Sequence, residues 1–174
     1  MTHKHVDLGY EIKEPIVHTI VVAIHNQALH ALDKDFNTLF SYNCVTGEGD
    51  PKHETPIGKY HVDKRAYNLE IAKNYKSRTY VGAHMPYPMF LTGDGVAIHG
   101  SGLIDINKSG LTMNTHIIPL ESYVKRFSSS SIEGKLGSHG CIRLSVDSAL
   151  ELYLHTPQGT PVIVRKFWID DKKE

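Results

Sequence analysis

Cysteine is scarce: the 174 residues contain two, Cys44 and Cys141. That excludes a disulfide framework of the kind small secreted domains use as staples. Cys44 lies in an apolar run and reads as a small buried hydrophobe, so the two thiols are expected to stay unpaired. Excess charge is missing too, with 19 Lys and Arg against 19 Asp and Glu. Nothing in that balance points to nucleic acid or to an anionic membrane surface as a partner. The longest apolar stretch, Ile20-Val21-Val22-Ala23-Ile24, falls well short of the ~20 residues that cross a bilayer as a helix. The opening residues Met1-Thr2-His3-Lys4-His5-Val6-Asp7 are polar, and no secretory leader is visible in them. No internal repeat is evident, and histidines and cysteines show none of the compact spacings of a structural zinc site.

What remains is an ordinary globular composition, 40% hydrophobic and 22% charged, enough for one domain with a sizeable core. Twelve histidines make the charge sensitive to pH between about 5 and 7. Residues 1–16 read as a loose arm or an edge strand. The β-branched run Ile16 to Ile24 predicts a strand, His25-Asn26-Gln27-Ala28 a turn, and Ala28 to Leu32 a second strand. Asp33-Lys34-Asp35 is a polar turn before a third strand over Phe36 to Val45. Gly47-Glu48-Gly49-Asp50-Pro51 is a loop by composition, and Gly58 to Val62 is a strand. Residues 63–80 suit a short helix or an irregular crossing. Val146 to Thr156 is the one convincing helix: Ser145 is its N-cap, Asp147 suits the positive first turn, and Pro157 and Gly159 stop it. Pro161-Val162-Ile163-Val164 is a last strand, Phe167-Trp168-Ile169 are expected to cap the core, and 169–174 form a charged tail. Short strands with one or two helices imply a β-rich mixed α/β class, a single-domain β-sandwich.

Chemistry concentrates in Gly137-Ser138-His139-Gly140-Cys141-Ile142-Arg143-Leu144. Glycines on both sides let the backbone turn sharply. A cysteine held there presents its sulfur beside backbone N–H groups, which is what acyl transfer through a thioester needs. Val96-Ala97-Ile98-His99-Gly100-Ser101 reads as a strand delivering a histidine, and a cysteine with a distant histidine is the usual form of a cysteine nucleophile. The reading is Cys141 as nucleophile and His99 as general base, with the N–H groups of His139, Gly140 and Cys141 as oxyanion donors. His116 is the second candidate for the base. His139 either orients the thiol or binds substrate, or is a structural histidine. Ser101 or the Gly100 carbonyl is expected to hold the tautomer of His99. Arg143 either pairs with a substrate carboxylate or makes a structural salt bridge.

These residues resemble the catalytic domain of the L,D-transpeptidase (YkuD-like) family. The resemblance rests on Ile98-His99-Gly100 and Ser138-His139-Gly140-Cys141-Ile142-Arg143-Leu144. Further matches follow in order: Val21-Val22-Ala23 through Leu29-His30-Ala31-Leu32, then Val45-Thr46-Gly47, Thr55-Pro56-Ile57-Gly58-Lys59-Tyr60, Met85-Pro86-Tyr87-Pro88-Met89, and Gly159-Thr160-Pro161-Val162. It covers about residues 17–165. By residue type alone, Tyr87, Met89, Phe90 and Leu91 beside Pro86 and Pro88 suit a core-packing strand; what the resemblance implies is a catalytic domain over 17–168, with Met85 and Tyr87 of that segment flanking a substrate cleft, and no cofactor. The implied substrate is a peptidoglycan stem peptide, its acyl group passing through Cys141 to an amine or to water, with carbapenem-type compounds as inhibitors. It also implies the cell envelope as location, the cytoplasm staying open as the alternative. One departure stands out: His99 and Cys141 lie much closer together in the family pattern. The extra residues fall within 101–137, ending in Ser128-Ser129-Ser130-Ser131, and suit a flap over the cleft. Two rival readings are a zinc-dependent hydrolase using His99, His139 and Cys141, and a non-catalytic wall-binding module that keeps the fold. The sequence says nothing of oligomeric state.

Overall fold

In a computed structural model of the chain, the structure describes residues 11–47, 51–65, 85–100, 138 and 140–168. The expected helix or crossing over 63–80 therefore lies almost wholly outside the described residues, as does the insertion within 101–137.

The hairpin is built first. β1 (Thr19–Ala23) and β2 (Ala28–Leu32) pair antiparallel, from Thr19 opposite Leu32 to Ala23 opposite Ala28. β3 (Thr38–Asn43) returns along β2 after a turn in which Asp33 Oδ1 accepts from the amides of Asp35 and Asn37, both at 2.8 Å. β4 is Gly58–His61 and β8 is Pro161–Arg165. The final strand slots in parallel to β1 and antiparallel to β4, giving a five-stranded sheet of order β3-β2-β1-β8-β4. Its centre is therefore made by the two most β-branched runs of the chain, which is where such residues pack best.

A second sheet has three strands: β5 (Met89–Phe90), β6 (Ala97–Gly100) and β7 (Ile142–Leu144), with β6 central, antiparallel to β5 and parallel to β7. The helix α1 (Val146–His155) follows β7 directly. Ser145 caps it as expected, its Oγ accepting from the Ser148 amide at 3.1 Å. Val146, Ala149, Leu152 and Tyr153 form its buried stripe, the i, i+3, i+7 spacing of one helical face. That stripe shares a single hydrophobic cluster with Ile20, Val22, Leu29, Ala31, Val162 and Val164 of the large sheet and with Ile98, Ile142 and Leu144 of the small one. The β-rich sandwich with one helix among the described residues agrees with the expected class.

Three expectations need correction. Residues 11–16 make neither a loose arm nor a strand. The Lys13 and Val17 amides donate to the carbonyls of Leu154 and His155 at 2.9 and 2.8 Å, because the last carbonyls of a helix have no partner within it. Phe167 and Trp168 do not cap the core. Phe167 is 54% exposed and leans on His25, while Trp168 lies over His30 and Arg165. In the proline-rich segment before the second sheet only Met89 and Phe90 form a strand. Tyr87 turns the chain there at φ +51°.

Candidate active site

The loop that ends at Cys141 is held by hydroxyls. Ser138 enters it by pairing with the strand-like segment after β3, its amide donating to Thr46 O at 3.1 Å. Its Oγ accepts from the Gly140 amide at 3.1 Å and donates to the Cys141 carbonyl. Gly140 carries φ +109°, a conformation that disfavours any side chain. The Gly140 carbonyl in turn accepts from Thr55 Oγ1 at 3.0 Å, and the same Thr55 oxygen accepts from the Gly47 amide at 2.8 Å. Thr46 is fixed from behind by the buried Gln27, whose amide group donates to Thr46 Oγ1 at 2.6 Å and accepts from the Thr46 amide at 3.0 Å.

Strand register then sets the side chains. β6 and β7 are parallel, with His99 opposite Arg143 and Ile98 opposite Ile142. Side chains alternate along a strand, so His99, Arg143 and Cys141 fall on one face of the small sheet while Ile98, Ile142 and Leu144 enter the core on the other. Helix α1 lies on the core side, since a Cβ on Gly100 would meet Val146 Cα at 3.1 Å and Ala149 Cβ at 3.3 Å. By register Cys141 lies about one two-residue step along and one strand across from His99, ~8 Å between backbones.

Both are buried, Cys141 at 4% and His99 at 5% exposure. The Cys141 thiol donates to the Gly95 carbonyl at 3.6 Å. The His99 Nδ1 lies 2.8 Å from the carbonyl of Gly100. A carbonyl only accepts, so Nδ1 carries the proton and Nε2 carries the lone pair. Burial lowers the His99 pKa to about 4; the bond to Gly100 opposes that shift and the charge of Arg143 adds to it. At neutral pH the imidazole is therefore uncharged and able to take a proton. Cys44 is buried and free, its thiol pushed up to about 12 by desolvation, the behaviour of an inert core residue.

Of the sites expected from sequence, Ser138, Gly140 and Cys141 share one hydrogen-bonded loop, and His99 stands opposite Arg143 on the adjoining strand. The Gly140 amide is spent on Ser138, so its part is to shape the loop rather than to offer an oxyanion donor. Met85 and Tyr87 are 1% and 4% exposed. Tyr87 belongs to the hydrophobic cluster and packs on Tyr153, the core-packing alternative for that segment. His139, Ser101 and His116 lie outside the described residues. The same holds for the three-ligand zinc set, which needs His139; among the described residues no group of three His, Cys, Asp or Glu side chains is placed to hold a metal. Sequence reading missed Gln27 and the role of Thr55. Gln27 left no signal in a turn-like stretch, while Thr55 stood inside a motif whose purpose was unspecified.

A two-sheet β fold carrying a buried thiol on a glycine loop, with a neutral imidazole on the adjoining parallel strand, is a recognisable class. The family described as "YkuD: L,D-transpeptidase catalytic domain" matches residues 17–164, and the chain belongs to that family. Solved structures agree on the fold. An L,D-transpeptidase from Mycobacterium smegmatis matches with TM-score 0.55 and 20% identity over 84% of this chain and 58% of that one. An L,D-transpeptidase from Stackebrandtia nassauensis matches with TM-score 0.55 and 19% identity over 94% and 62%. The L,D-transpeptidase LdtMt1 in complex with imipenem matches with TM-score 0.52 and 20% identity over 84% and 58%. The chain thus spans less than two thirds of the length of these proteins. No curated protein matches it.

Proposed function

We propose that this domain is a cysteine-dependent L,D-transpeptidase acting on peptidoglycan stem peptides in the cell envelope. The observation that carries the proposal is a buried, neutral His99 whose Nδ1 is committed to Gly100, leaving Nε2 as the base, on a strand whose parallel neighbour begins just after Cys141.

At rest the site holds a thiol, donating to Gly95, beside a neutral imidazole. A base this weak does not maintain a thiolate on its own, so proton transfer accompanies attack. Cys141 Sγ adds to the carbonyl of the third stem residue as His99 Nε2 takes the thiol proton. The C–N bond to the terminal D-alanine then breaks, and His99 returns the proton to the leaving amine. The thioester passes to an amine of a neighbouring stem, forming a 3→3 cross-link, or to water. Arg143, on the same face as both residues, is suited to a substrate carboxylate.

Intact-mass analysis after incubation with a carbapenem tests this. The native protein should gain one covalent adduct, Cys141→Ser none, and His99→Ala the same adduct about 10²- to 10⁴-fold more slowly. A folded, reduced native protein that gains no adduct would overturn the proposal.

A further inference from the structure

Thr55 reaches the Cys141 loop from a different part of the chain and makes two bonds whose directions are fixed. An amide can only donate and a carbonyl only accept. Its Oγ1 therefore takes the Gly47 N–H at 2.8 Å and gives its single proton to Gly140 O at 3.0 Å. Thr55 is 4% exposed, so water does not substitute for either bond. The approach is tight by design: a Cβ on Gly47 would lie 1.9 Å from the His53 carbonyl oxygen and 2.7 Å from the Thr55 amide, so only glycine lets the Thr55 segment come this close.

The consequence concerns the peptide group between Gly140 and Cys141. It is trans and planar, so its C=O and N–H point in opposite directions. Pinning the Gly140 carbonyl onto Thr55 aims the Cys141 N–H away from Thr55. Ser138 pins the next carbonyl, that of Cys141. Neighbouring peptide planes around the nucleophile are thus each locked by one buried hydroxyl. Gly140, at φ +109°, has no side chain to restrict this plane, so the restriction comes from outside.

We infer that Thr55 is a positioning residue for acyl transfer: its hydroxyl fixes the tilt of the Gly140–Cys141 peptide so that the Cys141 N–H meets the oxyanion formed when Cys141 attacks a carbonyl. This rests on the acyl-transfer reading given above. It acts on the donor alone and leaves the thiol and His99 untouched, and that separation makes it testable.

Two reactions of Cys141 differ in the need for an oxyanion donor. Acylation by a carbapenem forms a tetrahedral oxyanion as Sγ adds to the lactam carbonyl, before the C–N bond opens and the nitrogen takes a proton. Alkylation by iodoacetamide displaces iodide at a saturated carbon and forms no oxyanion. Thr55→Val keeps the shape and removes the hydroxyl. It should slow carbapenem acylation about 10- to 100-fold, somewhat less than outright loss of an oxyanion donor, with iodoacetamide alkylation within about twofold of native. Thr55→Ser should restore most of the acylation rate. Should the valine variant not fold, Thr55→Ala is measured in its place, with the same direction expected. Equal slowing of both reactions would mean that Thr55 merely supports the fold, and an unchanged acylation rate would mean that the loop holds its tilt without it; either overturns the inference. A native protein that alkylates but never acylates would overturn the acyl-transfer reading itself, and the inference with it.

Discussion

His99 illustrates how one residue can be tuned by position alone. Its imidazole is enclosed, its Nδ1 proton is held by the Gly100 carbonyl, and the Arg143 charge stands on the same sheet face. Burial disfavours the imidazolium most, and Arg143 disfavours it further. The acid limb of carbapenem acylation by the free protein, measured as a second-order rate against pH, should therefore lie well below the ordinary histidine value of about 6.5, toward 4. Arg143→Gln removes the like charge and should move that limb upward. A native acid limb at 6.5 or above would mean that His99 is not the group that takes the thiol proton. The chemistry at this scale was legible: Cys141 and His99 stand out by residue type and by the glycines beside them. The Gly100 carbonyl was legible too as a partner for the His99 tautomer, but the shift of the His99 pKa was not, because it comes from enclosure and Arg143, which packing and register create. For Tyr87 the residues alone suggested core packing, which its place against Tyr153 supports.

At the scale of elements, β6 is the strand on which the site depends. It delivers His99 on one face and rests Gly100 against α1 on the other. The Gly100 amide also donates to Pro86 O at 2.8 Å. A Cβ at Gly100 would find Val146 Cα at 3.1 Å and the Cβ atoms of Ala149 and Pro86 at 3.3 Å, two of the three neighbours belonging to a helix that cannot swing aside as a long side chain can. Gly100→Ala should cost about 1–3 kcal/mol of stability, the usual range for overpacking, read by denaturant unfolding. It should also slow acylation, because the shift of β6 carries His99 and its carbonyl partner with it. Full stability together with full acylation would show that α1 yields more freely than its contacts imply. The helix itself was readable to within a residue, since Ser145, the apolar stripe and Pro157 agree with one another. The strands of the large sheet and β6 were readable in place but not in partner, and β7 was not read as a strand at all. Nothing local says that β8 enters between β1 and β4, or that residues 11–16 cover the carbonyl end of α1; both follow from which backbone groups are left unpaired once the other elements have formed.

For the molecule as a whole, the enclosure of His99 makes stability depend on pH. His99 has a folded pKa of about 4 against an ordinary value of 6.5, and His30 is lowered too, by partial burial first and by the Arg165 charge second. Between those values the unfolded chain binds a proton that the folded chain refuses. Stability therefore rises with pH through this window, is complete above about 6.5, and is lost as pH falls toward 4. For His99 alone the full loss is on the order of 3 kcal/mol, a large share of the 5–15 kcal/mol that holds a typical domain together. Thermal unfolding followed from pH 7 to pH 4 should show a steady fall in midpoint. His99→Gln has no proton to gain, so its midpoint should be lower at pH 7 but flatter toward acid, and the two curves should converge near pH 4. Parallel curves would mean that the imidazole charges within the folded protein at little cost. Enclosure would then have to be abandoned as the reason His99 is neutral at pH 7, and with it the support it gives to the proposed base.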